Sequence, residues 1–181
     1  MDDQTVTDTV LWTQTLGRLR RELAELPATQ RDWLAQQITR IGQLQEELDR
    51  VFVAVGGPQI CRDCLGGCCS RAKYHLTLSN ILPYLLAGED PPAPDFARPC
   101  PLLGPTGCQL PVLHRPFNCI IFLCDAIDQT LSAEQRQTFS QIESELRHVY
   151  HAIAERCPGA SLRGLLIAAE RLGARALLTN S

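Results

Sequence analysis

Lysine is almost missing from this 181-residue chain, where Lys73 is the only one. Basic side chains number 17 against 20 acidic ones, a formal net charge of -3. With no positive excess to neutralise a phosphate backbone, the composition argues against a nucleic-acid partner. Long apolar runs are missing too. Nothing approaches the ~20 residues of a transmembrane helix. The most apolar short run, Cys119-Ile120-Ile121-Phe122-Leu123-Cys124, reads as a buried strand or turn. The opening Met1-Asp2-Asp3-Gln4-Thr5 is acidic and has neither the basic nor the apolar stretch of a secretory leader. The expectation is a cytoplasmic protein without a membrane partner. No internal repeat, GxGxxG, P-loop or nucleophile elbow is present, which removes the common nucleotide and acyl-transfer readings. What remains is ordinary for a folded chain: 45% hydrophobic and 20% charged residues.

Cysteine is absent from the first 60 residues, and that segment carries helical spacing instead. Trp12, Leu16, Leu19, Leu23 and Leu26 recur at steps of three and four. Pro27 interrupts the stripe, and Thr29 with Asp32 resembles a capping box. Leu34, Ile38, Ile41, Leu48, Phe52 and Val55 then resume it, with polar Gln45 in a stripe position. The spacing predicts a helical hairpin over residues 1–56. It is either an arm that packs on the rest of the chain or a surface for a homodimer or another protein partner. Gly56-Gly57-Pro58 ends the arm.

Residues 57–125 are irregular and hold eight of the nine cysteines and most of the 12 prolines. One short helix is expected after Ser79, carrying Ile81, Leu82, Leu85 and Leu86 and closing at Gly88. Residues 126–181 are helical again. Ser132 with Gln135 opens a helix whose buried stripe is Phe139, Ile142, Leu146, Val149 and Ile153. Cys157-Pro158-Gly159 stops it, and Ser161 is placed as the cap of a last helix reaching about Leu178. The fold class is therefore mainly α, with an N-terminal hairpin and C-terminal helices around a central cysteine-rich metal-binding region.

In a reducing compartment, clustered cysteines read as metal ligands before disulfides. Cys61-Arg62-Asp63-Cys64 is a C-x2-C pair, followed by Leu65-Gly66-Gly67 and the doublet Cys68-Cys69. Such a turn aims sulfurs at one ion, and Gly66 and Gly67 offer the positive φ that a loop wrapped around metal needs. Four thiolates in nine residues repel one another without a cation. Cys100, Cys108, Cys119 and Cys124 follow, and all eight are assigned to metal. Reduced structural thiols and a redox disulfide relay are the alternatives.

The pattern Cys61-x2-Cys64-x3-Cys68-Cys69, then Pro99-Cys100-Pro101-Leu102, Gly107-Cys108 and Arg115-Pro116-x2-Cys119, resembles the CxxCxxCC cysteine-cluster proteins, often called the YkgJ family. The resemblance covers roughly residues 60–125. It implies chelation of zinc or iron, with an iron–sulfur cluster in many members, and a related cluster occurs in flagellin lysine methylases. Departures are visible: three residues rather than two precede the doublet, Val112 stands where the family has tyrosine, and Ile120 where it has arginine.

Either cofactor is compatible with the residues. Zinc takes four thiolates, so eight cysteines allow two sites, and the adjacent Cys68 and Cys69 suit different metals. An iron–sulfur cluster also takes four, and the reading places it ahead of zinc. The function expected is a metal-binding module of unassigned role, with an iron–sulfur-dependent modifying enzyme as the alternative. Arg115 is read either as offsetting thiolate charge beside the metal or as fixing the turn before Pro116. His75 and His114 are read as bystanders, His148 and His151 as a solvated helix face, and Cys157 as a buried free thiol.

Overall fold

The computed structural model describes residues 3–64, 67–105 and 107–180. The chain is mainly helical, as the spacing predicts. Helices α1 (Asp3–Glu25) and α2 (Ala28–Ala54) are separated by two residues. Trp12, Leu16, Leu19 and Leu23 are buried on α1, and Leu34, Ile41, Leu44 and Leu48 on α2. Pro27 lies at the start of α2, where a missing N–H costs nothing. No side chain caps this end, so the expected Thr29–Asp32 box does not form; Thr29 and Asp32 lie inside the helix.

The Gly-Gly-Pro stop behaves differently from expectation. Gly56 takes φ 76 and ends α2, but Gly57–Asp63 immediately forms a second helix, α3, with Pro58 in its first turn. Cys61 therefore sits on a helix and not in an open loop. A 3-10 turn follows over Gly67–Arg71. Gly67 does not adopt the positive φ expected of it, and Leu65 and Gly66 lie outside the described residues.

Helix α4 (Leu78–Leu86) is the short central helix, with Leu78, Ile81 and Leu82 fully buried. The Asn80 Oδ1 accepts from the Thr77 backbone N–H at 2.9 Å and from the Thr77 hydroxyl at 2.7 Å, which fixes its start two residues earlier than predicted. Gly88 (φ 72) follows it. A minimal antiparallel hairpin pairs β1 (Leu103–Gly104) with β2 (Gly107–Cys108). A 3-10 turn over Val112–His114 and two single-turn helices, α5 (Phe117–Ile120) and α6 (Asp125–Asp128), complete the centre. The run Cys119–Cys124 is thus no strand: Ile120, Ile121 and Leu123 pack on the core, while Phe122 is 52% exposed.

Helix α7 (Ala133–Arg156) opens with the predicted Ser132–Gln135 capping box. It packs along α2. The last helix is shorter than expected. Ser161 does not cap it; its hydroxyl accepts from the Arg163 N–H at 3.2 Å in a local turn. Helix α8 runs Leu165–Leu172 between Gly164 (φ 112) and Gly173 (φ 57) and packs on α1. Beyond it, Leu177 and Leu178 are fully buried, and both of their N–H groups donate to the Glu22 carboxylate at 2.8 Å.

One apolar core gathers residues from all three sequence segments, including Leu19, Leu34, Ile81, Leu146 and Leu165. The apolar stripes of α1 and α2 face this core. A smaller cluster of Tyr84, Leu102 and Leu110 lies in the cysteine region. No described helix is long and apolar enough to cross a membrane.

Candidate metal centre

The cysteines ride on short elements held by the core through polar contacts. The most informative is at Arg115. Its carbonyl accepts from Gln45 Nε2 at 2.7 Å and from Asn80 Nδ2 at 2.9 Å. Gln45 and Asn80 are essentially without solvent exposure. A buried amide donor aimed at a carbonyl is a strong positional constraint, because leaving either group unpaired costs about 1–3 kcal/mol. The polar residue on the α2 stripe is therefore the tether of the segment that leads into α5 and Cys119. Asn80 also donates to the Tyr150 hydroxyl at 3.3 Å, tying α4 and α7 to the same point.

The stretch before α4 is tethered from α1. Asp8 is 3% exposed and accepts from the Tyr74 hydroxyl at 3.0 Å and from Gln4 Nε2 at 2.8 Å, and it pairs with Lys73 Nζ at 3.4 Å. The only lysine of the chain thus neutralises a buried carboxylate. Leu76 accepts from the Leu165 N–H at 2.7 Å, and Gly164 lies against the Tyr74 carbonyl. Residues 73–76 are strapped across the core, with His75 among them.

All nine cysteines are free thiols. Eight form two neighbourhoods. In the first, α3 packs against α6 and brings Cys61 toward Cys124, the residue that precedes α6. Burial pushes the Cys61 thiol up, and the charges of Cys64, Cys68 and Cys124 push it further, while the Arg115 guanidinium opposes them. Cys64 Sγ donates to the Cys61 carbonyl at 3.5 Å.

In the second neighbourhood, Cys100, Cys108 and Cys119 line one cavity of about 40 Å³, walled by Tyr74, Pro101 and Leu102 among others. The Cys119 thiol is pushed up to about 12, first by the protein mass around the sulfur and then by Cys108, Cys100, Cys69 and Cys68. The residue keeps an exposed face, so its sulfur is crowded but reachable. Cys69 is likewise pushed up to about 12, by burial and then by Cys68, Cys100 and Cys108. Burial is the main cause of the rise at Cys100, with the Leu102 backbone N–H opposing it. These thiols hinder one another's ionisation, which is the electrostatic condition that a bound cation relieves.

Among the described residues, no three His, Cys, Asp or Glu side chains converge as a formed ion site. The structure brings the predicted thiols into two neighbourhoods and does not close them into four-fold coordination. Soft sulfur donors without disulfides fit zinc or an iron–sulfur cluster in kind.

The remaining candidates separate clearly. Arg115 Nε donates to the Leu110 carbonyl at 3.4 Å and Nη1 lies 4.0 Å from Asp49 Oδ1, so the guanidinium braces its turn while its charge reaches Cys61. His114 stacks edge-on against Tyr84 with ring centroids 4.5 Å apart. His148 and His151 are exposed on α7. Cys157 is fully buried, its Sγ 3.5 Å from the Leu178 carbonyl. His75, read as a bystander, places its Nδ1 3.5 Å from Cys119 Sγ. Its only forewarning in the sequence was its place between the doublet and α4.

No family model matches this chain, and neither a curated protein nor a solved structure is similar to it.

Proposed function

We propose that this chain is a thiolate metal-binding protein that holds an iron–sulfur cluster or zinc through its central cysteines. One observation carries the reading. Eight free cysteines, separated by up to 63 positions in sequence, lie in two adjoining neighbourhoods, where burial and then the charge of neighbouring thiols raise the pKa of Cys61, Cys69, Cys100 and Cys119. A reduced protein gains nothing from crowding thiols unless a cation accepts them as thiolates. The resemblance of residues 60–125 to the CxxCxxCC cysteine-cluster family supports the same reading.

In this reading Cys61, Cys64, Cys68 and Cys124 serve the first neighbourhood, and Cys69, Cys100, Cys108 and Cys119 the second. The doublet divides by charge: Cys68 acts on Cys61 in the first neighbourhood, while Cys100 and Cys108 act on Cys69 in the second. Arg115 acts on Cys61 by charge, without contact to the metal. Metal bound as thiolate releases protons, so uptake strengthens as pH rises.

The test is metal and acid-labile sulfide analysis with a visible spectrum, on protein purified without oxygen. Brown protein with sulfide selects the cluster, and colourless protein with stoichiometric zinc selects zinc. Protein that takes up neither metal under reducing conditions refutes the proposal. Cys64→Ser is expected to lower metal content because a serine oxygen is a hard, poorly ionised donor. Cys157→Ser is expected to keep it, since that thiol is buried among α7 and the C-terminal segment.

A further inference from the structure

We infer that His75 is a metal ligand: its Nδ1 and the Cys119 Sγ are two donors to one zinc ion, in a mixed nitrogen–sulfur centre distinct from the all-sulfur neighbourhood of Cys61, Cys64 and Cys124. This deepens the metal-binding reading and rests on it.

The geometry comes first. The Nδ1–Sγ separation is 3.5 Å. Zinc–nitrogen bonds of about 2.05 Å and zinc–sulfur bonds of about 2.3 Å, opened to a tetrahedral angle, put the two donors about 3.6 Å apart. The pair already has the edge length of a zinc tetrahedron. The same distance also suits a hydrogen bond between the thiol and the imidazole, since sulfur is the larger atom.

Both donors are held from outside the centre. Cys119 lies on α5, whose approach is fixed by the Gln45 and Asn80 donors to Arg115. His75 lies on the strap, where the neighbouring Leu76 and Tyr74 are pinned by Leu165 and Asp8. Two ligands placed by the core are a preorganised half-site. Cys100 and Cys108 line the same cavity as Cys119, while His75 lines a second one, so Cys119 is the donor that links them. Cys100 is followed by a turn closed by the Leu103 N–H donating to its carbonyl, and Cys108 pairs with Leu103 in the β1–β2 hairpin. These two thiols do not converge with the fixed pair in the arrangement of the described residues, and metal binding would draw them onto it. The proposed ligand set is His75, Cys119, Cys100 and Cys108, in which His75 takes the place that the all-thiolate reading gives to Cys69.

The test is a Zn²⁺ titration of the reduced full-length chain, read by zinc content and by X-ray absorption at the zinc edge. The wild type should show imidazole scattering on bound zinc. His75→Ala should bind at least tenfold more weakly at one site and lose that scattering. Cys124→Ser should keep it, because it touches only the other neighbourhood. Wild-type zinc with sulfur-only scattering overturns this inference and leaves the thiolate reading standing. A wild type that binds no metal overturns both. Should His75→Ala fold poorly, the wild-type absorption spectrum alone still decides.

Discussion

Gly164 is the residue whose replacement tests the strap most directly. It precedes α8 with φ 112, outside the range that side-chain-bearing residues adopt comfortably. A methyl group placed there would stand 1.9 Å from the Tyr74 carbonyl oxygen and 3.0 Å from its carbon. Both partners are backbone, so no rotamer change relieves the overlap. Gly164→Ala therefore carries a conformational cost of about 1–3 kcal/mol and a displacement cost of about 1–3 kcal/mol for moving the packed strap. The expected loss is about 2–6 kcal/mol, which at roughly 2–4 °C per kcal/mol for a chain of this size lowers Tm by roughly 4–24 °C. Gly173→Ala is the control. It also has positive φ, at 57, but no atom lies within 4 Å of the added methyl. With ψ -121 it lies outside the left-handed helical region, so its loss should stay at the conformational cost alone, about 1–3 kcal/mol. Thermal unfolding followed by circular dichroism separates the two. Equal losses at the two glycines would refute the close approach of α8 and the strap. On the zinc inference, Gly164→Ala should also weaken zinc uptake, because Tyr74 adjoins His75.

Three further outcomes follow from the same contacts. Gln45→Leu removes one donor to the Arg115 carbonyl but also an oxygen without a partner, so its cost should stay within about 1 kcal/mol, whereas Asn80→Ala, which strands Thr77 as well, should cost about 2–4 kcal/mol in urea denaturation. Burial pushes the Cys157 thiol up to about 11, from about 8.5 in the unfolded chain. A folded-state pKa above the unfolded one means its contribution is complete below about pH 8.5 and is lost as pH rises through about 11, so the stability advantage of wild type over Cys157→Ser should shrink across that window; an advantage that grows there contradicts the burial. Chelation should leave most helical circular dichroism intact while exposing residues 60–125 to protease, and equal protease resistance with and without metal would show that the centre needs no ion.

The helical frame was legible because its signals are local. Stripes at steps of three and four, the Ser132–Gln135 box and the proline at the start of α2 each act within a turn or two of chain. The failures were local signals overruled by glycine. Ser161 looks like a cap, but Gly164 sets where α8 begins and Gly173 where it ends, leaving Leu177 and Leu178 to be held by Glu22 from α1. No spacing rule contains that contact. The cysteines were legible as a set, since their density needs no geometry. Their division was not, because it depends on α3 packing against α6 and on a cavity shared by three distant thiols. Gln45 was visible only as an anomaly, a polar side chain on an apolar stripe, and its partner lies 70 positions away.

The two neighbourhoods differ in how much of their order comes from the protein. Around Cys119 and His75, buried amides, a buried carboxylate and the start of α8 hold the backbone from the core. Around Cys61, Cys64 and Cys68 there is little to hold it: Gly57 is the only buried residue of α3, and the 3-10 turn bearing the doublet has none. A segment that buries so little apolar surface does not offset the conformational entropy of its own ordering, about 1–2 kcal/mol per residue for the backbone. On the proposed metal-binding reading, the missing stabilisation comes from the ion. Metal removal should therefore release Cys61–Cys69 before it disturbs Cys119, and hydrogen exchange in the metal-free protein should be fast over α3 and the doublet while α4 and α5 stay protected. Uniform exchange across both neighbourhoods would contradict this, since it would mean that the buried Gln45 and Asn80 tethers contribute no more local order than an exposed turn.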